Sequence, residues 1–215
     1  MNNYTPHEQF LLDNNLHAES GIRRYRLQVS RNPAKFLVES TPTYQGPRNG
    51  NKRWDILNDL IQHHGWTLGA EIGVRKGHTQ FQLLTENPNL TMYAVDKDVS
   101  QFHNSESVAR FGHRMIVLEG DSRHMAKFVP HGSLDFVFID ADHTARAVKV
   151  DLKAWVPKLK PTGWITGHDV HMKDVYDVAT RKFGNIQIGP DHTWFKAPDD
   201  NYDFLRKIDS SVSQL

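Results

Sequence analysis

The chain has 215 residues, 38% of them hydrophobic and 24% charged, a size and mixture suited to one α/β domain with a buried core and short for two. Lysine and arginine (26) nearly cancel aspartate and glutamate (25), so overall charge gives no reason to expect a membrane partner and makes nucleic acid an unlikely one. Cysteine is absent, which excludes disulfides, thiolate metal centres and cysteine nucleophiles and fits a reducing compartment, the cytoplasm by default.

In chain order, residues 1 to about 50 are polar and irregular, and the turn-rich run 41–51 carries Pro and Gly residues that oppose regular structure. We divide the chain there, into an N-terminal arm or lid (1–50) and a folded domain (51–215). No basic segment followed by an apolar core opens the chain, and no uncharged apolar run approaches spanning length, so neither export nor a membrane span is expected. Arg23, Arg24, Arg26, Arg48, Lys52 and Arg53, interleaved with Tyr25, Tyr44 and Trp54, suit an anionic or sugar-bearing substrate. Solvated surface charges with packed stems are the commoner use of such residues.

From Trp54, the apolar residues Ile56, Leu57, Leu60 and Ile61 recur at helical spacing up to Gly65 and predict a helix. Short apolar runs then alternate with amphipathic stretches, the pattern of βαβ units. Strands are expected at 70–74, 92–96, 115–119, 134–140 and 163–167. The fourth is apolar on both faces, as a central parallel strand must be. Val148, Leu152, Trp155, Val156 and Leu159 trace a helical face that ends at Lys160-Pro161. A further helix is expected near 175–183, and the runs IQIG and HTWFKA flank Pro190-Asp191 as a terminal hairpin. The sum is an α/β, Rossmann-like, doubly wound and mainly parallel seven-stranded sheet with a C-terminal antiparallel hairpin.

The chemistry gathers at the carboxyl ends of these strands, where open parallel sheets bind ligands. Glu71, Gly73, Val74 and Gly77 form an ExGxxxG turn leading to Thr79. Its glycines permit positive φ and close approach of a ligand to the main chain, and the helix beyond offers free N–H groups. The spacing is not the GxGxxG of a dinucleotide site, and the Glu71 carboxylate would serve a pyrophosphate poorly. It suits a ligand with a positive end, an ammonium or a sulfonium; two glycines in a turn are also compatible with a purely structural role. Asp96 stands where an acid accepts from ribose hydroxyls, or caps a turn. Asp121, before Ser122, suits an adenine amino group or a helix cap equally.

These residues resemble the class I S-adenosylmethionine-dependent methyltransferases, and within them methyltransferase family 24. The likeness runs over about 66–198 and rests on EIGVRKG, AVDKD, LEGDS and the run from FIDADH to LKPTGWITGHD. It implies that the glycine turn holds the methionine portion of S-adenosylmethionine, Asp96 the ribose, and Asp121 with Ser122 the adenine, with Lys97 and Asp140 also among the cofactor-binding residues. Asp140, Asp142 and His143 after the fourth strand, and His168 and Asp169 after the fifth, would then face the transferred methyl. His143 is the first candidate base beside Asp140, with His168 and His171 behind it. The likeness extends to metal-dependent O-methyltransferases, in which an acidic pair or Asp-Asn follows strand five. Here the pair is His168-Asp169, a departure from that pattern. Asp140, His168 and Asp169 form a donor set for Mg2+ or another divalent ion.

The expected function is methyl transfer, O-directed before N-directed, to a small-molecule acceptor such as a sugar or natural-product hydroxyl, with a homo-oligomer possible. The alternatives are a non-catalytic ligand-binding or interaction module on the same fold and, more remotely, a nucleotide-dependent oxidoreductase.

Overall fold

Among the described residues four of the five parallel strands are short and largely apolar, the fifth is buried only over its carboxyl half, and each is followed by a glycine or a polar residue, so each enters the sheet and then releases a loop at its carboxyl end. The computed structural model describes residues 52–200; the expected arm or lid over 1–50, with its arginines and tyrosines, and residues 201–215 lie outside them. Within that range α1 (Arg53–His64) precedes β1 (Leu68–Ile72), α2 (His78–Glu86), β2 (Thr91–Asp96), α3 (Ser105–Phe111) and β3 (Met115–Glu119). There follow α4 (Ser122–Met125), β4 (Leu134–Ile139), α5 (Ala145–Trp155), β5 (Leu159–Gly167), α6 (Lys173–Phe183), β6 (Gln187–Ile188) and β7 (Trp194–Lys196).

The seven strands lie in the order β3-β2-β1-β4-β5-β7-β6. The first five are mutually parallel, and β7 runs antiparallel to both β5 and β6. Reversal of the strand order beside β1 opens a crevice at the carboxyl ends of β1 and β4, the place such sheets use for ligands. The expected fold is therefore the observed one.

Strand alternation divides the core. Phe136 and Phe138 of β4, with Met92 and Ala94 of β2, pack under α1, α2 and α3 with Leu57, Leu60 and Leu83. Val137, Ile139, Ala70, Ile72 and Tyr93 face the other way, toward Val148, Leu152 and Trp155 of α5 and Val175 and Ala179 of α6. This is the two-sided burial that a doubly wound sheet requires. The helix α1 stops where the sequence places its stop, at Gly65 in the left-handed conformation (φ 63°).

Several boundaries differ from the sequence reading, and Leu159, expected on the face of the preceding helix, instead opens a strand; two of the differences have a visible cause. β1 ends at Ile72 rather than at residue 74, because Gly73 (φ 94°) already turns the chain. β5 begins at Leu159 instead of residue 163: Leu159 pairs with Leu134 and Trp164 with Phe136, so the residues between form a bulge. Asp135 holds it, accepting from the Lys160 ammonium at 2.6 Å and from the Thr67 and Leu68 N–H groups at 2.9 Å. Pro161 fits within the strand because the bulge frees it from donating to a ladder. Among the described residues no helix is long and apolar enough to cross a membrane.

Candidate functional site

The parallel ladder continues one residue beyond several strands and so sets their loops side by side. Gly73 N–H donates to the Val95 carbonyl at 2.8 Å, Gly120 to Asp96 at 2.8 Å, Asp140 to Ile72 at 2.8 Å and His168 to Ile139 at 3.0 Å. The glycine turn, the acidic end of β2 and the two histidine-bearing loops thus share one edge.

In the glycine turn, residues 73, 75 and 77 have positive φ, at 94°, 53° and 78°. A Cβ on Gly73 would lie 2.3 Å from the Asp140 carbonyl oxygen and 2.5 Å from Ala141 Cα, so only glycine lets the turn lie against the loop after β4. Arg75 is the non-glycine residue held in the left-handed region here, and its N–H is fixed by Asp96 Oδ2 at 2.7 Å. Gly77 is the N-cap of α2 and supplies no side-chain cap to the first N–H groups of that helix. Val74 and Thr79 are buried, whereas Lys97 beyond β2 is exposed.

Glu71 lies 2% exposed in this turn, and its Oε2 has no hydrogen-bond partner. Burial first, and then the neighbouring Asp140, push its carboxyl well above the ordinary range, against the pull of Arg53 and Thr79. On the far side of the crevice Asp121 caps α4 and accepts from Arg123 N–H at 3.0 Å, with Arg123 Nε and Nη2 at 2.7 and 2.6 Å. The cap role foreseen for Asp121 is the one it fills here. Ser122 donates to the buried Asp151.

The second group lies at the ends of β4 and β5. His143 Nε2 is 2.8 Å from Asp169 Oδ2 and 3.7 Å from Asp140 Oδ1. His168 Nδ1 is 3.3 Å from each of the same two oxygens. His171 Nδ1 is 3.5 Å from Asp169 Oδ1, and its ring lies 4.1 Å from that of His192. The carboxylates of Asp140 and Asp169 lift the His143 imidazole to about 9. Burial pulls His168 down, but Asp140, Asp169 and Asp191 outweigh it and raise the ring to about 11. Burial acts against Asp169 ionisation and the two imidazoles overcome it, holding that carboxyl far below the usual range. Asp169 itself sits at φ 55°, the kind of local backbone strain that persists where surrounding structure dictates it.

Two members of the cluster have no motif in the sequence. Arg53, at the start of α1, donates from Nε to Thr79 Oγ1 at 2.8 Å and from Nη1 to Asp191 Oδ2 at 3.2 Å, and lies 3.7 Å from Asp140. Asp191, in the turn of the terminal hairpin, accepts from the Arg53 N–H as well, at 3.2 Å. Arg53 therefore ties the start of α2, just beyond the glycine turn, to the histidine cluster. In the sequence it is one of several arginines near a turn, and nothing in its spacing sets it apart. Asp191 reads there as a plain turn residue.

Residues 70–170, a little under half of the chain, match the family model described as "Methyltransferase domain", which is methyltransferase family 24. Over that stretch the chain is similar to a methyltransferase domain. No curated protein matches the chain by sequence. Among solved structures, a provisionally assigned caffeoyl-CoA O-methyltransferase from Staphylococcus aureus is similar at 17% identity and a TM-score of 0.58, over 67% of this chain and 81% of that one. The O-methyltransferase TomG from Streptomyces achromogenes, involved in tomaymycin synthesis and solved with S-adenosylmethionine, is similar at 13% identity and TM-score 0.52, over 67% and 79%. A provisionally assigned O-methyltransferase from Klebsiella pneumoniae is similar at 15% identity and TM-score 0.52, again over 67% and 79%. The fold is that of S-adenosylmethionine-dependent O-methyltransferases.

Proposed function

We propose that the chain is an S-adenosylmethionine-dependent O-methyltransferase that acts on a small-molecule hydroxyl, of a sugar or natural product, in the cytoplasm. The observation that carries this reading is the contact between the glycine turn and the loop after β4, where Gly73 lies against Asp140 and Ala141. A cofactor seated on that turn presents its reactive end to Asp140 and His143. The unpartnered, buried Glu71 Oε2 suits the positive end of such a cofactor, with Gly73, Val74, Gly77 and Thr79 beneath its methionine portion. Asp96 and Lys97 border the ribose position, and Asp121 and Ser122 the adenine.

Transfer of a methyl group from a sulfonium requires an in-line nucleophile at close range, so positioning contributes much of the rate. A hydroxyl acceptor must also lose its proton. The cluster supplies two means for this: the His143 imidazole, set against Asp169 at 2.8 Å, which can accept a proton only once it has lost its own, as pH rises through about 9, and a carboxylate pair able to hold a divalent ion with histidine nitrogen beside it. Such an ion would acidify a hydroxyl bound to it. Asp140 and Asp169 are donors of suitable chemistry for such an ion, and the ligand atoms of Asp140, His143 and Asp169 lie within 4.8 Å of one another. Either route passes through the ends of β4 and β5. Replacement of His143 by Ala is expected to lower methyl transfer by at least about a hundredfold while S-adenosylhomocysteine affinity changes by less than threefold. The assay is S-adenosylhomocysteine release over a panel of sugar and phenolic hydroxyls. An unchanged rate would remove His143 from the reaction centre.

A further inference from the structure

The histidine at the end of β5 and the histidine after β4 address the same two oxygens, Asp140 Oδ1 and Asp169 Oδ2, yet they are not equivalent. His168 is the more enclosed, its side chain 12% exposed against 30% for His143. It is braced from both ends: Nδ1 stands 3.3 Å from each carboxylate oxygen and Nε2 lies 4.0 Å from Asp191 Oδ1. His143 Nε2 stands 2.8 Å from Asp169 Oδ2, and neither it nor His168 Nε2 makes a directed hydrogen bond. One ligand atom from each of Asp140, His143 and Asp169 lies within 4.8 Å of the other two. Neighbouring donors bound at about 2.1 Å to one ion stand about 3 to 3.4 Å apart, and the separations of 2.8 and 3.7 Å at His143 Nε2 bracket that range.

We propose that Asp140, Asp169 and His143 Nε2 form a one-nitrogen, two-oxygen metal centre that selects an imidazole-accepting first-row transition ion over Mg2+. In this arrangement His168 is a positioning residue that aligns the two carboxylates from behind. The inference rests on the methyltransferase reading and deepens it, exchanging the ligand that the sequence suggests, His168, for His143. Chemistry favours the choice of ion: Mg2+ takes oxygen donors and keeps its waters, whereas Fe2+, Co2+, Ni2+ and Zn2+ accept imidazole readily. With His143 as a ligand, an ion held there would acidify the acceptor hydroxyl, whose proton would pass to solvent water, and the imidazole would not be the proton acceptor.

Tighter binding of a transition ion than of Mg2+ would by itself prove little, since most sites show that order. The test is therefore the dependence on His143. Full-length, metal-free protein is titrated calorimetrically with Co2+ and, separately, Mg2+, in the presence of S-adenosylhomocysteine, and the Co2+ complex is followed by its visible absorption. One Co2+ per chain is expected. His143→Ala should weaken Co2+ at least about tenfold, change its absorption spectrum and leave Mg2+ within threefold. His143→Glu, which restores a donor but makes it oxygen, should narrow the Co2+ over Mg2+ preference and serves if the alanine variant does not fold. Asp140→Asn with Asp169→Asn should abolish the binding. Co2+ affinity and spectrum insensitive to His143, binding that survives the double substitution, or equal affinity for Mg2+ would each overturn the proposal. Failure of the unsubstituted chain to bind S-adenosylhomocysteine would instead count against the methyltransferase reading, since Co2+ binding is measurable without it.

Discussion

A single buried acid shows how far residue-level chemistry reaches beyond the site. Asp151 in α5 is 4% exposed, and burial, with Asp121 and Asp142 nearby, lifts its carboxyl to about 6 while Ser122 pulls the other way. In the unfolded chain it would titrate near its ordinary value. A raised folded-state value means that the protonated form favours folding. The benefit is complete below about pH 4 and is lost as pH rises through about 6. From the size of the shift, the ionised carboxylate destabilises the fold by about 2–3 kcal/mol at neutral pH. Asp151→Asn keeps a side chain able to bond Ser122 and carries no charge. Its thermal midpoint should exceed that of the natural chain by several degrees at pH 7.5 and by little at pH 4.5. Equal gains at both pH values would show that Asp151 is not the buried charge described.

The residue scale also separates what was legible in the sequence from what was not. Glu71, Gly73, Asp140, His143 and Asp169 announce themselves because each stands at the end of an apolar strand, and strand ends can be read from local pattern. Asp121 was balanced between cap and ligand contact because both uses place an acid at the same position. The meeting of His143, His168 and His171 follows from two neighbouring strand ends, whereas the approach of His192 to His171 at 4.1 Å was hidden, because His192 comes from the turn of the hairpin and no spacing in the chain reports that distance.

At the scale of elements, α1 and the terminal hairpin enclose the site although neither lies within the stretch matched by the family. The α1 helix delivers Arg53 and the β6–β7 turn delivers Asp191. The two are joined at 3.2 Å through both the guanidinium and the main-chain N–H. Removing the cation would leave Asp191 and Asp140 close together without it and would free Thr79. Arg53→Met is therefore expected to lower stability by about 1.5–3 kcal/mol and to weaken S-adenosylhomocysteine several-fold. Arg53→Lys should fall between, because it keeps the charge and loses the fork. Thermal melts and calorimetry of the three proteins check this ordering; equal midpoints would reduce the contact to a surface ion pair. The bulge at the start of β5 was the element least legible in sequence. Lys160-Pro161 reads as a helix stop, and the Asp135 bonds that let those residues continue a strand are long-range.

Across the whole molecule, alternating apolar and amphipathic segments determined the layers and the direction of five strands, and the Pro190-Asp191 turn placed the antiparallel pair. The strand order followed from none of these patterns and is seen in the structure. That order sets the crevice between β1 and β4, where the glycine turn meets the histidine-carboxylate cluster. If the account is right, this crevice binds S-adenosylmethionine before any acceptor need be known. Calorimetric titration of the purified chain with S-adenosylhomocysteine tests that directly. The account predicts saturable one-to-one binding in the micromolar range that is weakened by Gly73→Ala; absence of binding, with or without a divalent ion, would contradict it.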